Sequence, residues 1–93
     1  MGTTVLEKNL EIVNKLGLHA RAAAKLVKLA SGFASNIEIA KEDQRVNAKS
    51  IMGVMMLAAG RGHQVTIYCD GEDEADAMLA VESLINDKFG EGE

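Results

Sequence analysis

The 93-residue chain has no proline, no tryptophan, one tyrosine, two phenylalanines and a single cysteine, and its 10 basic residues are outnumbered by 14 acidic ones. Each shortage excludes something. With so few aromatic rings there is little for nucleic-acid bases to stack on, and a formal net charge of −4 lacks the basic excess that phosphate-backbone binding requires. Nucleic acid is not expected as a partner. Cys69 has no second thiol for an internal disulfide and lies in an alternating apolar run, so a small buried thiol is expected there. No apolar stretch approaches the ~18 residues of a membrane span, and no charged-then-apolar signal opens the chain. A cytoplasmic protein without membrane insertion is expected. Met1-Gly2 could begin a myristoylation signal, but that motif needs Ser or Thr at position 6, where this chain has Leu6. What the chain does have is aliphatic bulk: 47% of its residues are hydrophobic, enough for one core in a single domain, 1–93, without metal or disulfide staples.

Hydrophobic periodicity then divides the chain. Leu6, Lys8, Leu10 and Ile12 share one parity from Leu6 to Val13, which predicts a strand with one buried face. Asn14 to Gly17 breaks the alternation. From Ala20, residues Ala23, Leu26, Val27 and Ala30 recur at helical spacing, and Gly32 stops that helix where a left-handed cap is expected. Phe33 to Ala40 alternates again, turns through Lys41 to Gln44, and returns as a short strand around Arg45 to Asn47. A second helix is expected from Ser50 to Ala58, with Val54, Leu57 and Ala58 inward. His63 to Cys69 reads as a strand, and a last helix follows the Asp70-Gly71 turn, with Glu72, Asp73 and Glu74 favouring its N-terminal dipole. Met78, Val81, Leu84, Ile85 and Phe89 supply its inward stripe, and Gly90 to Glu93 is expected to fray. The order β-α-β-β-α-β-α implies an α+β, two-layer open-faced sandwich, with an antiparallel sheet and its helices on one face. Periodicity leaves the strand order open.

Chemistry concentrates at Gly17-Leu18-His19-Ala20-Arg21, where a glycine turn enters a helix. The first N–H groups of a helix have no intrahelical partners, so the backbone of Ala20 and Arg21 suits an anion beside the nucleophilic imidazole of His19. A histidine that carries a phosphoryl group fits that combination. Arg21, Lys25 and Lys28 follow one another along a basic stripe, which is either a solvated face or a surface that steers acidic partners. On the second helix Ile51, Met52, Met55 and Met56 cannot all be buried. They are either overflow from the core or an adaptable docking surface, for which methionine is suited. Gly53 would let a partner approach closely. His63 has no Cys, His or carboxylate neighbours at ligand spacing, so no metal is expected, and the absence of a C-x-x-C motif weighs against a small metal chaperone.

Two stretches, Gly17-Leu18-His19-Ala20-Arg21-Ala22-Ala23 and Lys49-Ser50-Ile51-Met52-Gly53-Val54-Met55-Met56-Leu57, resemble the two signatures of the HPr family, the histidine phosphocarriers of the bacterial phosphoenolpyruvate:sugar phosphotransferase system. The resemblance runs along essentially the whole chain. It implies a four-stranded antiparallel sheet with three helices, and a monomeric carrier without cofactors. It also implies that Enzyme I phosphorylates His19 on Nδ1, that Arg21 and the helix N-terminus bind the phosphoryl oxygens, and that an enzyme IIA component receives the group. Ile51, Met52 and Met55 match the family's docking positions, with Lys28 and Lys49 beside them. Ser50 matches a serine that an HPr kinase/phosphorylase modifies in some members, and a serine there also caps a helix. Many members have proline where this chain has Ala22. Two alternatives remain: a nitrogen-related branch with the same chemistry, and a purely regulatory paralogue that acts by protein binding with His19 idle.

Overall fold

The computed structural model describes residues 5–93; the Met1-Gly2 start lies outside them. Strands β1 (Leu6–Glu11), β2 (Asn36–Lys41), β3 (Gln44–Asn47) and β4 (Gln64–Asp70) alternate with helices α1 (Ala20–Ser31), α2 (Ile51–Met56) and α3 (Glu74–Asn86) in the expected order, and a 3-10 turn, Lys88–Gly90, follows α3. The sheet order is β1-β4-β2-β3 with every pairing antiparallel. Leu6 faces Cys69 and Leu10 faces Val65 across β1 and β4, while Ile37 faces Cys69 and Ile39 faces Ile67 across β2 and β4. One parity of each strand is thereby directed to a common core. Lys8 shares the inward parity of β1 but reaches its edge, where its Nζ bonds Glu82 of α3 at 2.9 Å.

Helix α1 buries Ala22, Ala23, Leu26 and Ala30, a narrow stripe of mostly small residues that lets the helix lie close to the sheet. Ala77, Met78, Val81 and Ile85 form the corresponding stripe of α3. Between these layers Ile12, Leu26, Ile37, Ile39, Leu57, Ile67, Ile85 and Phe89 are fully enclosed. Each such side chain contributes about 1.5–3 kcal/mol through removal of its apolar surface from water. Cys69 is buried in the same core, and its thiol is pushed up to about 11, first by burial and then by the charges of Glu74 and Asp73. It is an inert packing residue, as the alternation implied.

Several local expectations change. Gly32 ends α1 with φ −79°, a right-handed conformation, and not with a left-handed cap. The chain beyond it is held by Asp73, whose carboxylate accepts the backbone N–H groups of Ala34 and Ser35, each at 2.9 Å, and the Ser35 hydroxyl. The Ser35 hydroxyl, with those N–H groups, holds Asp73 below the ordinary carboxylate range. Asp73 therefore ties the start of β2 to α3, where helix capping alone was expected. Helix α2 stops at Met56, because Ala58 takes φ +50°; Ala58 is exposed, and Ala59 is the residue that is buried. Lys41 Nζ satisfies the freed carbonyls of Leu57 and Ala58 at 3.1 and 3.2 Å.

The largest departure is at the C-terminal tail, which packs instead of fraying. Lys88 and Phe89 both adopt positive φ, +57° and +55°, and Gly90 continues at +75°. A left-handed conformation costs a non-glycine residue roughly 1–2 kcal/mol. Complete burial of the Phe89 ring offsets that cost, and the reversed chain runs back toward the start of α1. Lys25 Nζ donates to Phe89 O at 2.6 Å, and Lys15 N–H donates to Glu93 O at 2.9 Å, so both sides of the tail are fastened.

Candidate functional site

Gly17 determines where the site begins. Its φ is +65°, and a Cβ at that position would lie 2.5 Å from Ala59 O and 2.7 Å from Gly60 Cα, so the turn from β1 into α1 fits only a glycine. Leu18, buried beside it, donates its N–H to Ala59 O at 2.9 Å. His19 follows as the N-cap of α1, in an extended conformation with φ −74° and ψ 176°. The first helical hydrogen bond runs from Ala23 N–H to His19 O, 2.8 Å, leaving the N–H groups of Ala20, Arg21 and Ala22 outside the helical ladder. The His19 side chain makes no capping bond to them. An open set of helix donors thus stands beside a ring whose Nδ1 is not used for capping.

The Nε2 side of that ring is engaged. Glu91, on the returning tail, places Oε2 against His19 Nε2. Its other oxygen, Oε1, accepts from Asn14 Nδ2 at 3.0 Å, and the same amide donates to Gly17 O at 2.8 Å. Both partners of Nδ2 are acceptors only, which determines the orientation of the Asn14 amide. Burial would raise the Glu91 carboxyl, but the hydrogen bonds from Asn14 and His19 and the charges of His19 and Lys25 outweigh it and hold Glu91 below the ordinary carboxylate range. A carboxylate is therefore in contact with the His19 ring, beside the helix N-terminus and Arg21 that the sequence placed there. Lys15, Leu16, His19, Ala20, Arg21, Lys25 and the tail residues Gly90, Glu91 and Glu93 enclose a concavity of about 610 Å³. Arg21 is exposed at its wall.

The remaining expected residues lie elsewhere. Ser50 is the N-cap of α2, and its Oγ accepts the Gly53 N–H at 3.2 Å. Ile51, Met52, Met55 and Met56 are exposed while Val54 is enclosed, so α2 presents one apolar face to solvent. Lys28 is exposed, but Lys49 is half-buried, with Nζ bonded to Phe33 O at 2.8 Å. His63 Nδ1 accepts the Gly60 N–H at 2.7 Å and braces the loop that supports Leu18. Among the described residues there is no group of three potential metal-ligating side chains, and no helix is long and apolar enough to cross a membrane. Glu91 was missed because Gly90-Glu91-Gly92-Glu93 looks like a solvated end. Its one sequence signal is Phe89, an apolar anchor placed just after the last helix.

The sequence model of a family described as "PTS HPr component phosphorylation site" matches residues 6–87. The chain belongs to the HPr family. It is 55% identical over 89 residues to the phosphocarrier protein HPr of Neisseria meningitidis serogroup B, covering 96% of this chain and all of that one. Its structure is similar to HPr-C-His from Thermoanaerobacter tengcongensis, with a TM-score of 0.89 and 49% identity over 92% of this chain and 97% of that one. An HPr dimer from the same organism is also similar, with a TM-score of 0.76 and 50% identity over 88% and 94% of the two chains. Family membership makes this an HPr-type phosphocarrier of the phosphotransferase system, and not a classical enzyme. The solved HPr structures share its open-faced sheet with helices on one side.

Proposed function

We propose that the chain acts as a single HPr domain, 1–93, that accepts a phosphoryl group from Enzyme I on Nδ1 of His19 and passes it to an enzyme IIA component. The observation that carries this reading is the uncapped His19 ring beside the open N–H groups of α1. A neutral imidazole has a nucleophilic lone pair without prior activation, and the backbone of Ala20 and Arg21, with the Arg21 guanidinium, can hold phosphoryl oxygens after transfer. Arg21 is exposed, so its side chain is free to move onto the group and off it again, which a reversible carrier requires. The site is assembled from one chain, and the acting unit is a cytoplasmic monomer.

Ile51, Met52 and Met55, with Lys28, form the docking surface for both partners; apolar contact supplies affinity and the lysine steers acidic surfaces. Lys49, tied to Phe33 O, contributes more to the shape of that surface than to its charge. Ser50 is a regulatory position: phosphate on its hydroxyl would put a dianion at the start of α2, where the Gly53 N–H donates, and among the exposed methionines. The test is phosphorylation with phosphoenolpyruvate and Enzyme I. One acid-labile phosphate is expected on the chain and none on His19→Ala; a label retained by that variant would refute the assignment.

A further inference from the structure

We propose that Glu91, itself held by Asn14, is a positioning residue of this site: it fixes the His19 tautomer with the proton on Nε2 and balances the positive charge that the ring acquires as Nδ1 takes the phosphoryl group. The proposal rests on the reading of His19 as the phosphoryl acceptor. Neutral imidazole has two tautomers, and only the form with Nε2–H presents a lone pair at Nδ1. An ionised carboxylate has no proton to donate, so contact between Glu91 Oε2 and Nε2 selects that form. Nothing on α1 competes for Nδ1, since the ring makes no capping bond.

The supports behind Glu91 are independent of the ring. Asn14 is completely buried, both donors of its amide are committed, one to Gly17 O and one to Glu91 Oε1, and its own Oδ1 has no partner. A buried acceptor left unsatisfied is costly, and it is tolerated here where the amide must point its donors toward the site. The tail reaches His19 through two non-glycine residues with positive φ, anchored by the buried Phe89 ring and the Lys25 bond to its carbonyl. Backbone strain at a functional site persists only where surrounding structure holds it. The Glu91 side chain retains 14% of its exposure, which weakens solvent screening of its charge.

In the forward step the Nδ1 lone pair attacks the phosphorus of an N-phosphorylated imidazole on the donor. The new N–P bond forms as the donor's N–P bond breaks, and that electron pair returns to the donor ring. Nε2 keeps its proton throughout, and no acid or base outside the pair is needed. The acceptor ring becomes cationic in character and faces the Glu91 carboxylate, which is where preorganised charge lowers a barrier. Return of the group to an acceptor reverses the same changes.

The experiment compares wild type, Glu91→Gln and Glu72→Gln, using phosphorylated Enzyme I as donor and ¹⁵N-histidine NMR of the full chain at one pH where His19 is neutral. Glu72 is exposed just before α3, at the other end of that helix from the tail, so Glu72→Gln removes the same charge from a position outside the site. Wild type and Glu72→Gln are expected to show the Nε2–H tautomer and equal rates. Glu91→Gln is expected to show a mixture of tautomers, with a maximal transfer rate lower by about tenfold and little change in the KM for Enzyme I. Wild-type rate and tautomer in Glu91→Gln would overturn the role of Glu91 while His19 remained the labelled residue. A loss of rate in Glu91→Gln with the tautomer unchanged, or an equal loss in Glu72→Gln, would overturn it as well. Failure of the carrier reading is a separate result, seen as label retained by His19→Ala.

Discussion

Helices α1 and α2 each begin at a residue singled out by the sequence, and the two residues use their side chains in opposite ways. Ser50 turns its hydroxyl inward and closes its own helix by accepting the Gly53 N–H. His19 leaves the first donors of α1 open and is held from outside by a segment from the far end of the chain. A capping side chain stabilises its helix by about 0.5–2 kcal/mol, so α1 forgoes that gain. It can do so because its 12 residues bury Ala22, Ala23, Leu26 and Ala30, whereas the six residues of α2 bury only Val54. A long, well-packed helix can keep an unsatisfied end for an anion, and a short one cannot.

The sharpest way to break that contrast is at the anchor of the outside support. Phe89→Ala should cost roughly 3–5 kcal/mol in urea unfolding, as expected for an emptied aromatic site, and should release Glu91 from His19 while leaving the Ser50 cap unchanged. Amide chemical shifts would separate the two effects: Asn14, His19 and Glu91 should move, and Gly53 should not. Gly17→Ala comes next, at about 2–4 kcal/mol, because the new methyl meets Ala59 O and Gly60 Cα in a left-handed conformation. Its melting temperature should fall together with its transfer rate.

At the other helix the effects are smaller. Ser50→Ala should cost about 0.5–2 kcal/mol, and Ser50→Asp should recover most of that stability, since a carboxylate also caps. If Ser50→Asp instead lowered both stability and transfer, modification at this hydroxyl would act by breaking the cap and not by placing charge on the surface. Met52→Glu should change stability by less than about 0.5 kcal/mol, since this side chain is 70% exposed. Its transfer rate from Enzyme I should nevertheless fall. An unchanged rate would remove α2 from the docking surface.

The elements that sequence periodicity located are those whose burial is one-sided. Leu10, Ile12, Ile37, Ile39, Val65 and Ile67 alternate into the core as expected, and α1 keeps its stripe. The contacts it did not locate depend on residues far apart in the chain. Asp73 was legible as an acidic residue at a helix start, but its bonds to Ala34 and Ser35 depend on where β2 begins, which local pattern does not encode. Strand order was open for the same reason. At the site, His19 and Arg21 were legible because a glycine turn into a helix has a local signature. Glu91 was not, because its role depends on an unusual positive-φ path through Lys88 and Phe89 that an L-residue seldom takes. Ala22 turned out to be a core residue: its methyl is fully buried, and packing accounts for an apolar side chain there.

The sheet order has a consequence for the time course of folding. Among the described residues β1 pairs only with β4, so Leu6 waits for Cys69, and His19 waits for Glu91, 72 positions later. Pairings of such large sequence separation form late, after the entropy of closing long loops has been overcome. A nascent chain that has emerged only as far as α2 already displays both signature stretches but has neither β4 nor the tail. The histidine is synthesised early, and its surroundings are completed last.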